Sequence, residues 1–241
     1  MTCGRLNTIL ALALLPLAFA MCRSESAYIR GNLANLPDGN VRLMVWDGSF
    51  TAVDSARSKD GEFAIQTPAV LPDILFLQFE SVPDFYLPVV VDGSDVSVSG
   101  NFRYSDDITV SGSRPNELYY NYRREVNNYY VLIAAINKEL DTYADSTAIA
   151  DSTFYLNFYH KRDSLWRLVE GSKNLFVEAH PSCIVSAMFA AETLSDSTSL
   201  HQVDSLLGKL DPSMSGNAFL DRLRRRRWEL SDTTIYFDVP N

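Results

Sequence analysis

The chain has 241 residues, of which 30 are acidic and 21 are basic, so its formal net charge at pH 7 is −9. A surface with this excess of carboxylates repels nucleic acids and anionic lipid headgroups, and neither is expected as a partner. Aromatic residues make up 12% of the chain, which favours a packed core over a disordered protein.

The N-terminal segment has the pattern of an export signal. Arg5 precedes an apolar run over residues 9–21, and Cys22 follows that run directly. The run is too short to span a bilayer comfortably, which indicates a secretory signal peptide rather than a transmembrane helix. We predict a signal peptide over residues 1–21 and a short polar linker over residues 22–26.

A cysteine in this position resembles the lipobox of bacterial lipoproteins, in which the thiol is acylated and becomes the new N-terminus. The tetrapeptide Phe19-Ala20-Met21-Cys22 departs from that pattern at Met21, where Gly or Ala is usual. The resemblance implies a lipid-anchored protein of the cell envelope, on the periplasmic side or at the cell surface. The alternative is an ordinary signal peptide cut near Ala20, with Cys22 as an incidental thiol.

Residues 27–112 have the periodicity of β-strands. Apolar and polar side chains alternate over residues 41–46, 62–66 and 95–99, as expected for strands with one face against a core. This part predicts an antiparallel β-sandwich or open barrel of about seven or eight strands. Tight turns are predicted at Asp38-Gly39, Asp47-Gly48, Asp60-Gly61 and Asp92-Gly93. Strand edges and loops are predicted for Pro68, Pro72, Pro83 and Pro88.

Residues 113–230 have helical periodicity instead. Apolar side chains recur at spacings of three and four residues over residues 118–140, which predicts a long amphipathic helix. A second helix is predicted over about residues 150–169, and three shorter helices follow. Ser199 and Gln202 form a capping box at the start of one of them.

The predicted fold class is therefore α+β, with the β-rich part followed by a bundle of about five helices. The last helix is predicted over about residues 216–230, and residues 231–241 form a tail. The first helix carries or adjoins more tyrosines than one apolar stripe can bury, so some must contact the β-rich part or an external ligand. They are Tyr119, Tyr120, Tyr122, Tyr129, Tyr130 and Tyr143.

Several segments resemble the N-terminal domain of unknown function found in Gram-negative thioredoxin-like lipoproteins. They are Tyr28-Ile29-Arg30-Gly31-Asn32-Leu33, Val53-Asp54-Ser55, Asp60-Gly61-Glu62-Phe63, Val96-Ser97-Val98-Ser99-Gly100 and Val110-Ser111-Gly112-Ser113. In that family helices follow, and then a thioredoxin-fold disulfide reductase domain. The present sequence ends without the Cys-x-x-Cys motif, so the resemblance implies the non-catalytic half and transfers no catalytic residue.

The remaining motifs indicate no catalytic chemistry, and neither an enzyme, a cofactor nor a metal is expected. The three histidines are scattered, and no nucleophile elbow, phosphate loop or dinucleotide fingerprint occurs. Cys183 lies in an apolar helical stretch and is expected to be a buried, inert thiol. An enzyme with an unrecognised carboxylate site is the least favoured reading, because no carboxylate pair stands out.

A basic run near the end of the helical part is the one local charge anomaly. It consists of Arg222, Arg224, Arg225, Arg226 and Arg227. Consecutive residues fan around a helix, so these arginines can be a solvated helix end that pairs with nearby acids. The other reading is a docking patch for a protein partner.

Taken together, the sequence favours a non-catalytic exported lipoprotein that acts as a binding or scaffolding module. The resemblance suggests that it is accessory to a separate thioredoxin-like redox partner. The alternative is a lipoprotein that captures carbohydrates or peptides in a nutrient-uptake system.

Overall fold

The computed structural model describes residues 27–67, 72–144, 152–214 and 216–235. The predicted signal peptide, linker and acylated Cys22 lie outside the described residues, as do Pro68 and most of the predicted tail.

Two four-stranded sheets form the first half of the chain. Their strand orders are β4-β1-β7-β8 and β3-β2-β5-β6, and all neighbours are antiparallel except β1 and β7. Because both sheets are open, the sandwich alternative of the prediction is confirmed. The strands are β1 (Tyr28–Ala34), β2 (Gly39–Trp46), β3 (Phe50–Ser58), β4 (Glu62–Gln66), β5 (Asp73–Phe79), β6 (Val82–Val91), β7 (Val96–Asn101) and β8 (Thr109–Ser111).

The alternation read from the sequence places one set of side chains between the two sheets. In β1, Ile29 and Leu33 are fully buried while the residues between them alternate in exposure. Gly31 shares their face, and the Phe63 ring lies where a Cβ would stand, 1.9 Å from its ideal position. The glycine is therefore required because it lets the β4 aromatic ring pack directly on the β1 backbone.

The predicted Asp-Gly turns are largely confirmed by the backbone. Gly48, Gly61 and Gly93 have positive φ angles of 111°, 85° and 91°, as tight reversals require. At Gly39, in contrast, the backbone has no positive φ, and this residue already begins β2. Pro88 lies in β6, an edge strand of its sheet, where a missing backbone N–H is tolerated.

In the described part of the chain, five helices follow the sheets, as predicted. They are α1 (Arg114–Ala144), α2 (Ser152–Ala179), α3 (Ile184–Glu192), α4 (Leu200–Gly208) and α5 (Ala218–Ile235). The predicted capping box of α4 is confirmed, because the Ser199 hydroxyl and the Gln202 side chain each accept from the other's backbone N–H.

Three helices are longer than predicted. α1 continues four residues beyond residue 140, to Ala144. α2 continues ten residues beyond residue 169, because Phe176 and Val177 extend its buried stripe. Their burial outweighs the roughly 1 kcal/mol that Gly171 costs inside a helix. α5 likewise continues to Ile235, five residues beyond its predicted end. None of the described helices is long and apolar enough to cross a membrane.

A second core joins the helices to the sheet β3-β2-β5-β6. Ile74 and Val90 point outward from this sheet and are buried among α1, α2, α3 and α5. Their neighbours Leu75 and Val89 point inward to the core between the sheets. This sheet is therefore covered on both faces over part of its length, by the other sheet and by the helices.

Helix α1 is joined to the free edge of β6 by side chains. The Asn116 amide donates to the Val90 carbonyl and accepts from the Val90 N–H, both at 2.8 Å. One turn later, the Tyr120 hydroxyl donates to the Pro88 carbonyl at 2.8 Å. These bonds occupy backbone groups that a neighbouring strand would otherwise pair with. The expectation that some of the α1 tyrosines contact the β-rich part is confirmed for Tyr120, which is buried in the sandwich core.

Candidate binding cleft

An open cleft of about 580 Å³ lies between the outer face of the sheet β3-β2-β5-β6 and the helices. Its volume falls within the ~300–1,000 Å³ of typical ligand pockets. The sheet contributes five aromatic rings: Trp46, Phe50, Phe76, Phe85 and Tyr86. The helices contribute five more: Tyr119, Tyr122, Tyr130, Phe189 and Phe219.

The sheet wall is held by contacts between its own rings. Trp46 ends β2 and Phe50 begins β3, so the short turn between them brings both rings to one end of the sheet. Phe50 stacks on Tyr86 at 4.0 Å and meets the Phe76 ring edge-on at 5.1 Å. Trp46 stacks on Phe219 of α5 at 5.9 Å. These contacts fix the rings without filling the cleft.

The opposite wall is a cluster of rings from three helices. Tyr122 of α1 lies 4.7 Å from Phe189 of α3, and Phe176 of α2, which does not itself line the cleft, packs 5.2 Å from the same ring. The Tyr119 ring is half-buried, 6.1 Å from Phe189, and packs against both hydrophobic cores. The tyrosines of α1 therefore have two roles: they pack in the hydrophobic cores, and they form part of the cleft wall.

The Tyr122 hydroxyl is the unusual polar group of this wall. Tyr122 is only 6% exposed, and among the described residues its hydroxyl has no hydrogen-bond partner. Burial raises its pKa, and the nearby hydroxyl of Tyr130 and carboxylates of Glu170 and Glu192 raise it further. The group therefore stays protonated at neutral pH and can donate as well as accept a hydrogen bond.

Charged side chains surround these rings, and only some of them form ion pairs with described residues. Lys173 lies 3.2 Å from Glu170 and 3.1 Å from Glu192. Burial alone would lower the pKa of Lys173, but the two carboxylates raise it above its ordinary value, Glu192 more than Glu170. Arg123 and Arg222 form no ion pair within the described part of the chain. Their guanidinium groups instead lie over rings, 5.6 Å from the Tyr120 centroid and 5.3 Å from the Trp46 centroid.

The predicted arginine run is divided between two environments. Arg224 and Arg227 pair with Asp221 at 3.6 Å and Asp204 at 2.6 Å, as expected for a solvated helix face. The other three arginines line a second cleft of about 430 Å³, which adjoins the first through Trp46 and Arg222. These three are Arg222, Arg225 and Arg226. Of them, Arg226 also pairs with Glu229 at 3.4 Å and donates to the backbone carbonyl of Asp196 at 3.1 Å.

The sequence predictions did not identify the rings that the sheet contributes. One signal was present, because Ile74, Leu75, Phe76 and Leu77 form an unbroken apolar run rather than an alternating one. Such a run indicates a strand that is covered on both faces. Phe76 is the aromatic residue of this run, and the helices cover it only in part.

Other predicted features have no role in this cleft. Cys183 is a free, buried thiol, as expected, and burial raises its pKa above the ordinary value. A thiol with a raised pKa is a poor nucleophile at neutral pH. Within the described ranges, no cluster of three or more histidine, cysteine or acidic side chains could hold a metal ion.

Comparison with known families matches part of this architecture. Residues 28–119 match the family model "Domain of unknown function (DUF4369)". The match includes all eight strands and ends at Tyr119 in α1, so one wall of the cleft lies within the matched domain and most of the other lies beyond it. No curated protein and no solved structure matches the chain.

Proposed function

We propose that this protein is a non-catalytic, exported lipoprotein that acts as a binding or scaffolding module, and that the aromatic cleft is its binding surface. The observation that carries this proposal is the open cleft itself, with ten rings and a charged rim. Aromatic and arginine side chains are the types most enriched at binding hot spots.

The identity of the partner rests on the sequence resemblance. Domains of this kind precede a thioredoxin-like reductase domain in the lipoproteins that the sequence resembles. The proposal is therefore that a separate thioredoxin-like redox protein docks on this module. Capture of a carbohydrate or peptide is the second candidate, and the aromatic lining of the cleft favours it.

Site-specific photo-cross-linking tests whether the cleft binds a partner. Tyr130 lines the cleft at 38% exposure, and Tyr104 is a matched control at 64% exposure that does not line it. With a benzophenone amino acid at Tyr130 of the full chain in its native membrane, we expect discrete adducts that the same probe at Tyr104 does not give. Identical patterns from both positions would contradict a binding role for the cleft.

The anchor is tested separately at Cys22. A clickable fatty acid supplied to the growing cells is expected to label the wild-type chain and to leave Cys22→Ala unlabelled and released from the membrane fraction. Cys183→Ala is the matched control, since this buried thiol should not affect labelling. Label that persists in Cys22→Ala, or an unlabelled wild type, would show that the anchor proposal is wrong.

A further inference from the structure

We infer that the ligand of the cleft is an acidic peptide segment that carries an aromatic side chain. This inference rests on the proposed function, because it names the chemistry that the same cleft would recognise.

The charged side chains of the cleft favour an acidic ligand. The protein carries a net charge of −9, yet Arg123 and Arg222 both line the cleft without an ion pair to a described carboxylate. Of the other charged lining residues, Lys173 pairs with Glu192 at 3.1 Å, whereas Asp106 accepts from the neutral Asn127 amide at 3.3 Å and keeps its negative charge. Three cationic side chains therefore face two carboxylates, and the net positive charge of the lining complements carboxylates on a ligand.

Aromatic rings support the two arginines that have no ion pair. A guanidinium group that lies over an aromatic ring presents its N–H groups at its edge. Arg222 lies over Trp46 and Arg123 over Tyr120, so both are supported by a ring while their edges keep donors for a carboxylate. Planar, bidentate pairing with a carboxylate is the interaction for which such a held guanidinium is suited.

The walls of the cleft combine aromatic rings with one buried hydroxyl group. Rings of the two walls supply an apolar surface that an aromatic side chain can contact edge-on or stacked. The Tyr122 hydroxyl, 6% exposed and without a partner among the described residues, supplies one hydrogen bond. A peptide carbonyl or N–H beside the aromatic side chain would satisfy this group.

The same observations favour a peptide over a neutral sugar. A sugar needs several amide or carboxylate side chains around a ring face to bind its hydroxyl groups. The lining has one amide side chain, Asn127, and two carboxylates, Asp106 and Glu192. Asn127 and Asp106 bond each other, and Glu192 pairs with Lys173. A neutral sugar would also leave both guanidinium groups without a counter-charge.

Calorimetric titration of the full chain in detergent tests this inference with four probes. They are the capped peptides acetyl-Glu-Phe-Glu-amide, acetyl-Gln-Phe-Gln-amide and acetyl-Glu-Ala-Glu-amide, and maltotriose. We expect the first peptide to bind about 10-fold or more tighter than the other two peptides, because each of these lacks either the charges or the ring. Equal binding of the glutamine or alanine peptide, or tighter binding of maltotriose, would overturn the inference.

Matched variants locate the binding. Arg222→Met keeps an apolar side chain near Trp46 but removes the charge, and it should weaken the acidic peptide about 10-fold. Arg224→Met removes a charge from the same helix outside both clefts and should leave affinity unchanged. Tyr122→Phe should fold as the wild type does, because the lost hydroxyl has no partner, and should weaken the peptide several-fold. Equal losses in Arg222→Met and Arg224→Met would contradict binding in this cleft.

The two levels of the proposal can fail separately. If no peptide binds while the Tyr130 cross-linker still captures a partner in the membrane, the ligand chemistry is wrong and the binding function stands. If the peptides bind neither the wild type nor the variants and Tyr130 gives no specific adduct, both proposals are wrong.

Discussion

Replacing Asn116 with alanine is expected to lower the free energy of unfolding by about 3 kcal/mol or more. Asn116 is fully buried, and its amide bonds both the N–H and the carbonyl of Val90. Alanine would leave these two backbone groups buried without partners, and each such group costs about 1–3 kcal/mol. Asn116→Asp should also destabilise, since it removes the donor to the Val90 carbonyl and buries a charge.

Urea unfolding followed by circular dichroism measures this effect. Asn121→Ala is the matched control on the same helix, because Asn121 is exposed and its amide oxygen accepts from the exposed Arg124. We expect a change within about 0.5 kcal/mol for the control. Similar unfolding midpoints for the two variants would mean that the Asn116 bonds do not hold α1 on the sheet.

Truncation of Tyr120 to alanine is the second large effect, with an expected loss of about 3–5 kcal/mol. The Tyr120 ring is 4% exposed in the core between the sheets, although it belongs to a helix. Its removal would leave a cavity where α1 meets the sandwich. Tyr120→Phe keeps the ring and should cost only about 1–2 kcal/mol, because it leaves the Pro88 carbonyl without its donor.

Thermal or urea unfolding of the two variants separates the ring from the hydroxyl. Tyr130→Ala is the control, since this tyrosine lies on the same helix at 38% exposure. Its truncation should cost clearly less than that of Tyr120, because less apolar surface returns to water. If Tyr120→Ala is no more destabilising than Tyr130→Ala, Tyr120 does not join the helices to the sandwich.

Local sequence patterns predicted most of the secondary structure. Alternation in residues 41–46 and the left-handed glycines of the turns each act over a few residues, so they can be read from the sequence. The capping box at Ser199 is equally local. The strand order could not be predicted in the same way. The parallel pairing of Ile29 with Val96 joins residues that are distant in the sequence, and no local pattern encodes it.

The cleft was beyond prediction for a related reason. Trp46, Phe189 and Arg222 lie in three elements that meet only after the helices fold back over the sheet. The arginine run could be found as a charge anomaly, but which of its members line a cleft depends on the rotation of α5. Asn116 gave no signal at all, because one amide in a helix sequence does not reveal which backbone it will bond.

The position of β1 has a mechanical consequence. The described chain enters the fold at Ala27 and passes directly into β1, which lies between β4 and β7 rather than at an edge. Tension applied along the preceding segment would load β1 in shear, against five residue pairs with β4 and six with β7 at once. Hydrogen bonds that share a load in this way must rupture together, whereas those of an edge strand peeled sideways break one after another. We therefore expect a higher unfolding force when the protein is pulled from its N-terminal side than from its C-terminal side, where α5 can detach alone.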